Sequence, residues 1–166
     1  GTFNNVTIAE NCNVLGTIYA NRIVGDLYRK KEFTLPAKGQ TGPFNPWVEV
    51  PILSATISAS PFQQRIILEN IASSFRSAGV GTNVTGYLRA RLNGVVYDIA
   101  SKNMGSQTSV FRLAGPFSAT VPANAIGTLD IFITASQTFY FNRNEVLFGA
   151  LECFKAESSV LVVNVA

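Results

Sequence analysis

The pattern that most limits the fold is a series of short runs in which apolar and polar residues alternate, with no segment of helical 3.6-residue periodicity. Alternation places successive side chains on opposite faces of a strand, so each run predicts a strand with one buried face. The predicted strands cover residues 47–53, 64–71, 87–92, 95–100, 109–113, 117–121, 127–134, 146–154 and 160–165. Strands of this length and spacing predict an all-β protein in which residues 36–166 form an antiparallel β-sandwich head of jelly-roll type.

The clearest local signal is Asn93-Gly94, which lies between two of these runs. Both residue types tolerate the positive φ angles that a type I′ turn requires, so residues 87–100 are predicted to form a β-hairpin. Within its first strand, Arg89 and Arg91 share one face, and Leu88, Ala90 and Leu92 share the other.

The N-terminal segment has a different pattern, in which Asn5, Asn13 and Asn21 recur at a spacing of eight residues. Apolar side chains fill most even positions, but they are too few to offset the entropy lost when the segment orders alone. We therefore predict that residues 1–35 form an intertwined, homotrimeric β stalk, of β-helix or β-prism type, with a junction to the head. The apolar side chains assigned to the trimer stalk are Val6, Ile8, Val14, Ile18 and Val24. The alternative is that this segment supplies the first strands of one monomeric sheet.

The composition restricts the chemistry, because the chain has no histidine and only two cysteines, Cys12 and Cys153. Without histidine there is no Ser-His-Asp or Cys-His nucleophile and no imidazole metal ligand, and two thiols cannot complete a four-ligand zinc site. We expect the two cysteines to be unpaired, packed thiols. The carboxylates are scattered, so the sequence predicts no enzyme activity, no catalytic residues, no cofactor and no metal.

The charge distribution argues against a nucleic-acid partner. The formal net charge is +3, and apart from Arg29, Lys30 and Lys31 the basic residues do not cluster. A nucleic-acid-binding domain would show a denser basic stripe. The chain also begins inside a strand-like pattern, which predicts that it is a piece of a longer protein.

Long polar segments separate the predicted strands at residues 38–46, 73–83, 101–108 and 136–144, and we predict them to be loops. Loops on a rigid β scaffold are where binding specificity is usually located, and aromatic residues and arginine are common interface anchors. The candidate receptor-binding residues are Phe139, Tyr140, Phe141, Arg143, Phe75 and Arg76. The alternative is that residues 136–144 form a strand whose alternate aromatics pack into the protein core. Trp47 is expected to pack in the core or at a subunit interface.

Three N-terminal runs resemble a known family: residues 4–12 (NNVTIAENC), 16–20 (GTIYA) and 23–26 (IVGD). They are similar to the C-terminal part of the J proteins, the central tail-fibre or host-specificity proteins of lambda-like siphophages. Looser matches continue at residues 46–49, 61–62, 93–94 and 117–123.

The resemblance implies a homotrimer at the tip of a phage tail, located in the virion beside other tail-tip proteins. Its head would act at the bacterial surface by binding an outer-membrane protein, a porin or transporter, of a Gram-negative host, without catalysis or cofactor. Two other functions fit the residues: a carbohydrate-binding head that recognises lipopolysaccharide or capsule, and a purely structural tail protein.

Overall fold

The computed structural model describes residues 28–79, 83–105, 109–154 and, for the backbone alone, 161–165, together with the isolated positions Thr7 and Leu15. These ranges contain eleven strands. The first six are β1 (Tyr28–Leu35), β2 (Gly39–Phe44), β3 (Val50–Ile57), β4 (Gln64–Ser77), β5 (Thr85–Leu92) and β6 (Val95–Asn103). The others are β7 (Phe111–Val121), β8 (Gly127–Ala135), β9 (Phe139–Arg143), β10 (Leu147–Phe154) and β11 (Leu161–Val165).

The strands form two antiparallel sheets. Sheet A has the order β1-β10-β4-β9-β2, with β7 paired to β4 as its sixth strand. Sheet B has the order β11-β3-β8-β5-β6. Buried apolar side chains from both sheets form one core cluster, so the described chain is a two-sheet β fold around a shared core. This confirms the all-β, antiparallel prediction, while the jelly-roll topology stays a prediction.

Strand β4 organises sheet A, because it is long enough to pair with three neighbours. It runs beside β7 on one edge, and on the other edge it pairs first with β10 and then with β9. The change of partner accompanies a register shift between Leu68 and Ile71, where Asn70 has a φ of 58°. Asparagine tolerates this left-handed conformation better than most residues, so it suits a bulge in a long strand.

The core contains several of the aromatics that the sequence had placed at the surface. Phe75, Phe139 and Phe141 are among the largest fully buried side chains. Gly86 of β5 lies directly against the Phe75 ring, and a Cβ atom at that position would overlap the ring. The absence of a side chain at Gly86 therefore lets the two sheets close around Phe75.

The predicted hairpin is confirmed, and several predicted loops are wrong. Strands β5 and β6 pair around Asn93 and Gly94, whose φ angles are 49° and 84°. The predicted loop at residues 73–83 begins inside β4, the loop at 136–144 contains β9, and the loop at 38–46 contains β2. Polar residues sit at buried positions of these strands, as Ser73 and Ser77 do in β4, and they conceal the apolar alternation on which the prediction relied.

Strand β1 lies at the end of residues 1–35, which were predicted to form the stalk and its junction. This strand pairs with β10 along its whole length, so the predicted junction contributes a strand to sheet A. The stalk residues lie further towards the N-terminus. Val6, Ile8, Val14, Ile18 and Val24 are outside the described residues.

Candidate binding surfaces on the two sheet faces

The six candidate receptor-binding residues divide between the inside and the outside of sheet A. Phe75, Phe139, Phe141 and Arg143 are buried, which is a correction to their placement on exposed loops. Successive side chains of β4 and β9 point to opposite faces of the sheet, and the register pairs Phe75 with Phe141 on the inward face. Arg76 and Tyr140 occupy the intervening, partly exposed positions and also pair with each other.

Arg143 is an internal support of the fold. Its side chain is only 2% exposed, and its Nε donates a 2.7 Å hydrogen bond to the backbone oxygen of Pro36. Its own backbone oxygen accepts a 2.7 Å bond from the amide of Lys38. Burial lowers the pKa of the Arg143 guanidinium. The residue therefore fixes the connection between β1 and β2.

We call the partly exposed group formed by Arg76, Tyr140 and Gln40 the Tyr140 surface. The Arg76 guanidinium carbon lies 4.6 Å from the centroid of the Tyr140 ring, and Arg76 Nε donates a 3.1 Å hydrogen bond to Gln40 Oε1. A cation over an aromatic ring at this distance is attracted by the negative ring face. Gln40 is a neutral partner, so these two contacts order the Arg76 side chain without neutralising its charge.

The Tyr140 surface continues as a row of polar residues across four strands. The register aligns Arg112, Ser74, Asn142 and Gln40 on β7, β4, β9 and β2. Arg112 also forms an ion pair with Glu145 at 2.7 Å. Beside Arg112 lies a groove of about 420 Å³ that includes the bulge residues Glu69 and Asn70. Arg112, Ser74 and Gln40 therefore give this part of sheet A a polar surface with a shallow depression beside Arg112, whereas Asn142 in the same row is buried.

A second exposed cluster lies on the outer face of sheet B and is centred on Trp47. The Trp47 side chain is 53% exposed, so its expected place in the core is wrong, while a subunit-interface role stays a prediction. Its backbone has a φ of 64°, and its amide donates a 2.8 Å hydrogen bond to the oxygen of Ala135. The indole stacks on Tyr87 with centroids 5.8 Å apart and an interplanar angle of 28°.

Two arginines of β5 lie beside this aromatic pair. Arg89 is 4.2 Å from the Tyr87 centroid, and its Nε is 2.6 Å from Asp98 Oδ1. Arg91 lies 4.8 Å from the centroid of Phe132, and one of its terminal nitrogens is 2.9 and 2.7 Å from the two carboxylate oxygens of Glu49. Both arginines are therefore paired with a carboxylate.

A pocket of about 180 Å³ opens in the middle of this cluster. We call it the Trp47 pocket; its lining consists of Trp47, Glu49, Arg89, Arg91, Val96, Phe132 and Thr134. Thr134 is only 2% exposed, and its hydroxyl has no hydrogen-bond partner. The pocket thus combines an exposed aromatic ring, charge-paired walls and one unsatisfied hydroxyl.

Sequence reasoning missed the Trp47 pocket as a site, although one signal for it was present. Arg89 and Arg91 share a strand face with Tyr87, and this clustering of aromatic and basic residues is a signature of binding surfaces. The pairing of Trp47 with Tyr87 depends on a loop and a strand forty residues apart, and no local pattern carries that information.

The described residues offer no cluster of three or more histidine, cysteine, aspartate or glutamate side chains that could hold a metal ion. Cys153 is a buried free thiol that donates to Gln64 Oε1 at 3.2 Å, and burial raises its pKa to about 11. A thiol with this pKa is almost entirely protonated at neutral pH and is a poor nucleophile. Cys12 is outside the described residues. Within the described ranges no helix is long and apolar enough to cross a membrane.

No family model matches the chain. Among solved structures, it is similar to a chain in the structure of the infectious bursal disease virus Gt strain, with 17% identity and a TM-score of 0.38, over 81% of this chain and 40% of that one. It is also similar to the infectious bursal disease virus VP2 subviral particle, with 11% identity and a TM-score of 0.32, over 82% of this chain and 40% of that one. The chain spans less than half the length of these neighbours, and at such scores the functional argument rests on the surface geometry.

Proposed function

We propose that this chain is a receptor-binding head of a phage tail tip, which attaches the virion to an outer-membrane protein of a Gram-negative host. The observation that carries the proposal is the Tyr140 surface, where Arg76 is held against Tyr140 and Gln40 in an outward orientation. Tyrosine and arginine are enriched among the residues that dominate binding energy at protein interfaces. The resemblance of residues 4–26 to the J proteins supports the same function.

The ordering of Arg76 favours recognition of a protein. A free arginine loses side-chain entropy when it binds, and Arg76 has already lost part of it through its contacts with Tyr140 and Gln40. Because Gln40 is neutral, the guanidinium retains its charge, and we expect it to meet a carboxylate or backbone carbonyls of the receptor. Such bonds to a charged donor are about twice as strong as neutral ones.

The size of the surface also fits a protein partner. A stable interface buries about 800 Å² on each side, which is more than three side chains can supply. We propose that the contact extends along the polar row through Ser74 to Arg112 and the neighbouring groove. The flat strand face and its shallow depression would receive loops of the receptor.

We further propose that the head is presented three times on a homotrimeric stalk formed within residues 1–35, N-terminal to β1. Simultaneous engagement of linked heads can raise avidity by about 10²–10⁴ without any new contact, provided that the geometry permits it. A modest affinity at each Tyr140 surface would then be sufficient for attachment.

The test is competition between the purified chain and phage for adsorption to host cells, repeated on strains that each lack one outer-membrane protein. We expect the chain to block adsorption to wild-type cells and to bind all strains except the one that lacks the receptor. If binding survives every protein deletion and disappears from cells with truncated lipopolysaccharide, the receptor is a glycan and the proposal is wrong. If the chain neither binds cells nor competes, a purely structural role replaces it.

Two matched variants link that result to the Tyr140 surface. Arg76→Ala should lower cell binding at least about tenfold, as expected for an anchor residue. Arg65→Ala is the control, because Arg65 lies at the other end of the same strand and also covers an aromatic ring, Phe154, at 5.0 Å. Equal effects of the two substitutions would remove the Tyr140 surface from the proposal.

A further inference from the structure

We infer that the Trp47 pocket binds a single neutral pyranose unit of a glycan. This site goes beyond the proposed protein receptor, because it lies on sheet B, whereas the Tyr140 surface lies on sheet A. A virion head with both sites would contact a protein on one face and a surface saccharide on another.

The aromatic wall of the pocket suits a sugar ring. Trp47 is stacked on Tyr87 and held at its backbone by Ala135, so the indole has a defined orientation while half of its surface remains exposed. A pyranose has an apolar face of C–H groups and a polar edge of hydroxyls. The C–H face can pack on the electron-rich indole face, and the hydroxyls can reach the polar walls.

The charges of the pocket favour a neutral ligand. Arg91 is paired with both oxygens of Glu49, and Arg89 is paired with Asp98. An ionised carboxylate has about four acceptor sites, so Glu49 retains acceptor capacity for sugar hydroxyls after it binds Arg91. An acidic sugar would meet arginines whose charge is already balanced by a carboxylate, so it would gain less there than from an unpaired cation.

The Thr134 hydroxyl is a second and independent indication of a polar ligand. Its oxygen is buried without a hydrogen-bond partner and its residue lines the pocket, so a ligand hydroxyl would reach it after a small shift of the pocket wall. A buried polar group without a partner is destabilising, and a ligand hydroxyl that reached it would remove that cost. The volume of about 180 Å³ is below the range of about 300–1,000 Å³ typical of drug-sized ligands, which limits the occupant to about one ring.

The position of the pocket in the sheet argues against an extended peptide. Peptides that bind sheets usually add a strand to an unpaired edge. The pocket instead opens on the face formed by β5 and β8, and each of these strands already has a neighbour on both sides. A peptide could therefore not add a strand to β5 or β8 at the pocket.

The chain provides its own reporter, because Trp47 is its single tryptophan. The experiment is a fluorescence titration of the purified chain with the methyl glycosides of glucose, galactose and mannose, with glucuronic acid as the charged comparison. We expect a saturable change in indole emission for at least one neutral glycoside and a weaker response to the acid. The absence of a saturable change with every neutral glycoside, or a response only to the acid, would overturn the inference.

A pair of variants tests the role of the hydroxyl and keeps the reporter. Thr134→Val should lower the glycoside affinity about five- to tenfold, as expected for one lost hydrogen bond. Thr128→Val is the control, since it makes the same change at an exposed position of the same strand, outside the pocket. Equal affinities of the Thr134→Val variant and the wild-type chain would contradict the inference.

The titration is independent of the protein receptor, because it uses isolated glycosides and no cells. Saturation-transfer NMR on Trp47→Ala supplies the matching loss of binding without the fluorescent reporter. A chain that binds glycosides but no cells would contradict the proposed attachment and support the saccharide site. A chain that binds cells but no glycoside would contradict the saccharide site and support the attachment.

Discussion

Both outer faces of the molecule carry an arginine stacked on a tyrosine, but the two arginines have different hydrogen-bond partners. On sheet A, Arg76 lies 4.6 Å from the Tyr140 centroid and bonds a neutral amide. On sheet B, Arg89 lies 4.2 Å from the Tyr87 centroid and pairs with the carboxylate of Asp98. The first arrangement retains a positive charge on a flat surface, and the second encloses a balanced pocket. We expect the partner of the arginine, rather than the stacking itself, to distinguish the ligands that we propose for the two faces.

The largest effect should separate the inside of sheet A from its outside. Phe75 is 0% exposed and Phe148 is 69% exposed, and both lie in sheet A strands. We expect Phe75→Ala to reduce the free energy of unfolding by about 3–5 kcal/mol, because it leaves a large cavity in the core. Phe148→Ala should change it by about 0.5 kcal/mol or less. Urea unfolding of both variants makes the comparison, and a harmless Phe75→Ala would restore the loop interpretation of residues 73–83.

The next effect should distinguish the two arginines that were predicted together. We expect Arg143→Ala to cost about 1.5–3 kcal/mol of stability, because it removes a buried charged donor and leaves the Pro36 oxygen without that bond. Arg76→Ala should cost less than about 1 kcal/mol, since its contacts are exposed. In cell binding the order should reverse among variants that remain folded. Thermal unfolding and cell adsorption, measured on the same samples, check both halves; a strong stability loss in Arg76→Ala would contradict the division.

A higher salt concentration should affect ligand affinity differently at the two faces. Raising the ionic strength from 0.15 to 1 M shortens the screening length from about 8 to about 3 Å. We expect binding to the protein receptor through the charged Arg76 to weaken several-fold, while glycoside binding in the neutral Trp47 pocket changes little. Parallel titrations at the two salt concentrations test this difference. Equal salt dependence at both sites would show that the charge balance inferred from the ion pairs does not govern recognition.

The smallest effect concerns Thr134 in the free protein. Removal of an unpartnered buried hydroxyl should leave stability unchanged or raise it by up to about 1 kcal/mol. The exposed Thr128→Val control should stay within about 0.5 kcal/mol of the wild type. Chemical denaturation without ligand measures both. A loss of more than about 1 kcal/mol in Thr134→Val would mean that the hydroxyl has a structural partner, which would weaken the case for a ligand.

The sequence predicted those elements whose signal is local. The hairpin at Asn93-Gly94 and the all-β class follow from turn chemistry and alternation, and both are confirmed. The end of β4 at residues 73–77 and the short strand β9 were missed, because small serines and a run of three aromatics hide the alternation. Which of those aromatics faces outward depends on the register between β4 and β9, which no single segment encodes.

The same limit explains the error at Trp47. Tryptophan side chains are highly buried on average, so nothing in the sequence indicated a surface position for Trp47. Its position depends on the hydrogen bond to Ala135 and the contact with Tyr87, which come from two other strands. Alternation predicted that Arg89 and Arg91 share a strand face. It could not predict the carboxylate partner of Arg91, because Glu49 is distant in sequence.

The most direct test of the account is the binding of the purified chain to intact host cells by three proteins in parallel: wild type, Tyr140→Ala and Arg65→Ala. We expect saturable binding for the wild type and Arg65→Ala, and at least about tenfold weaker binding for Tyr140→Ala. None of the three should bind the strain that lacks the receptor protein. Undiminished binding of Tyr140→Ala, or an absence of binding by the wild type, would contradict it.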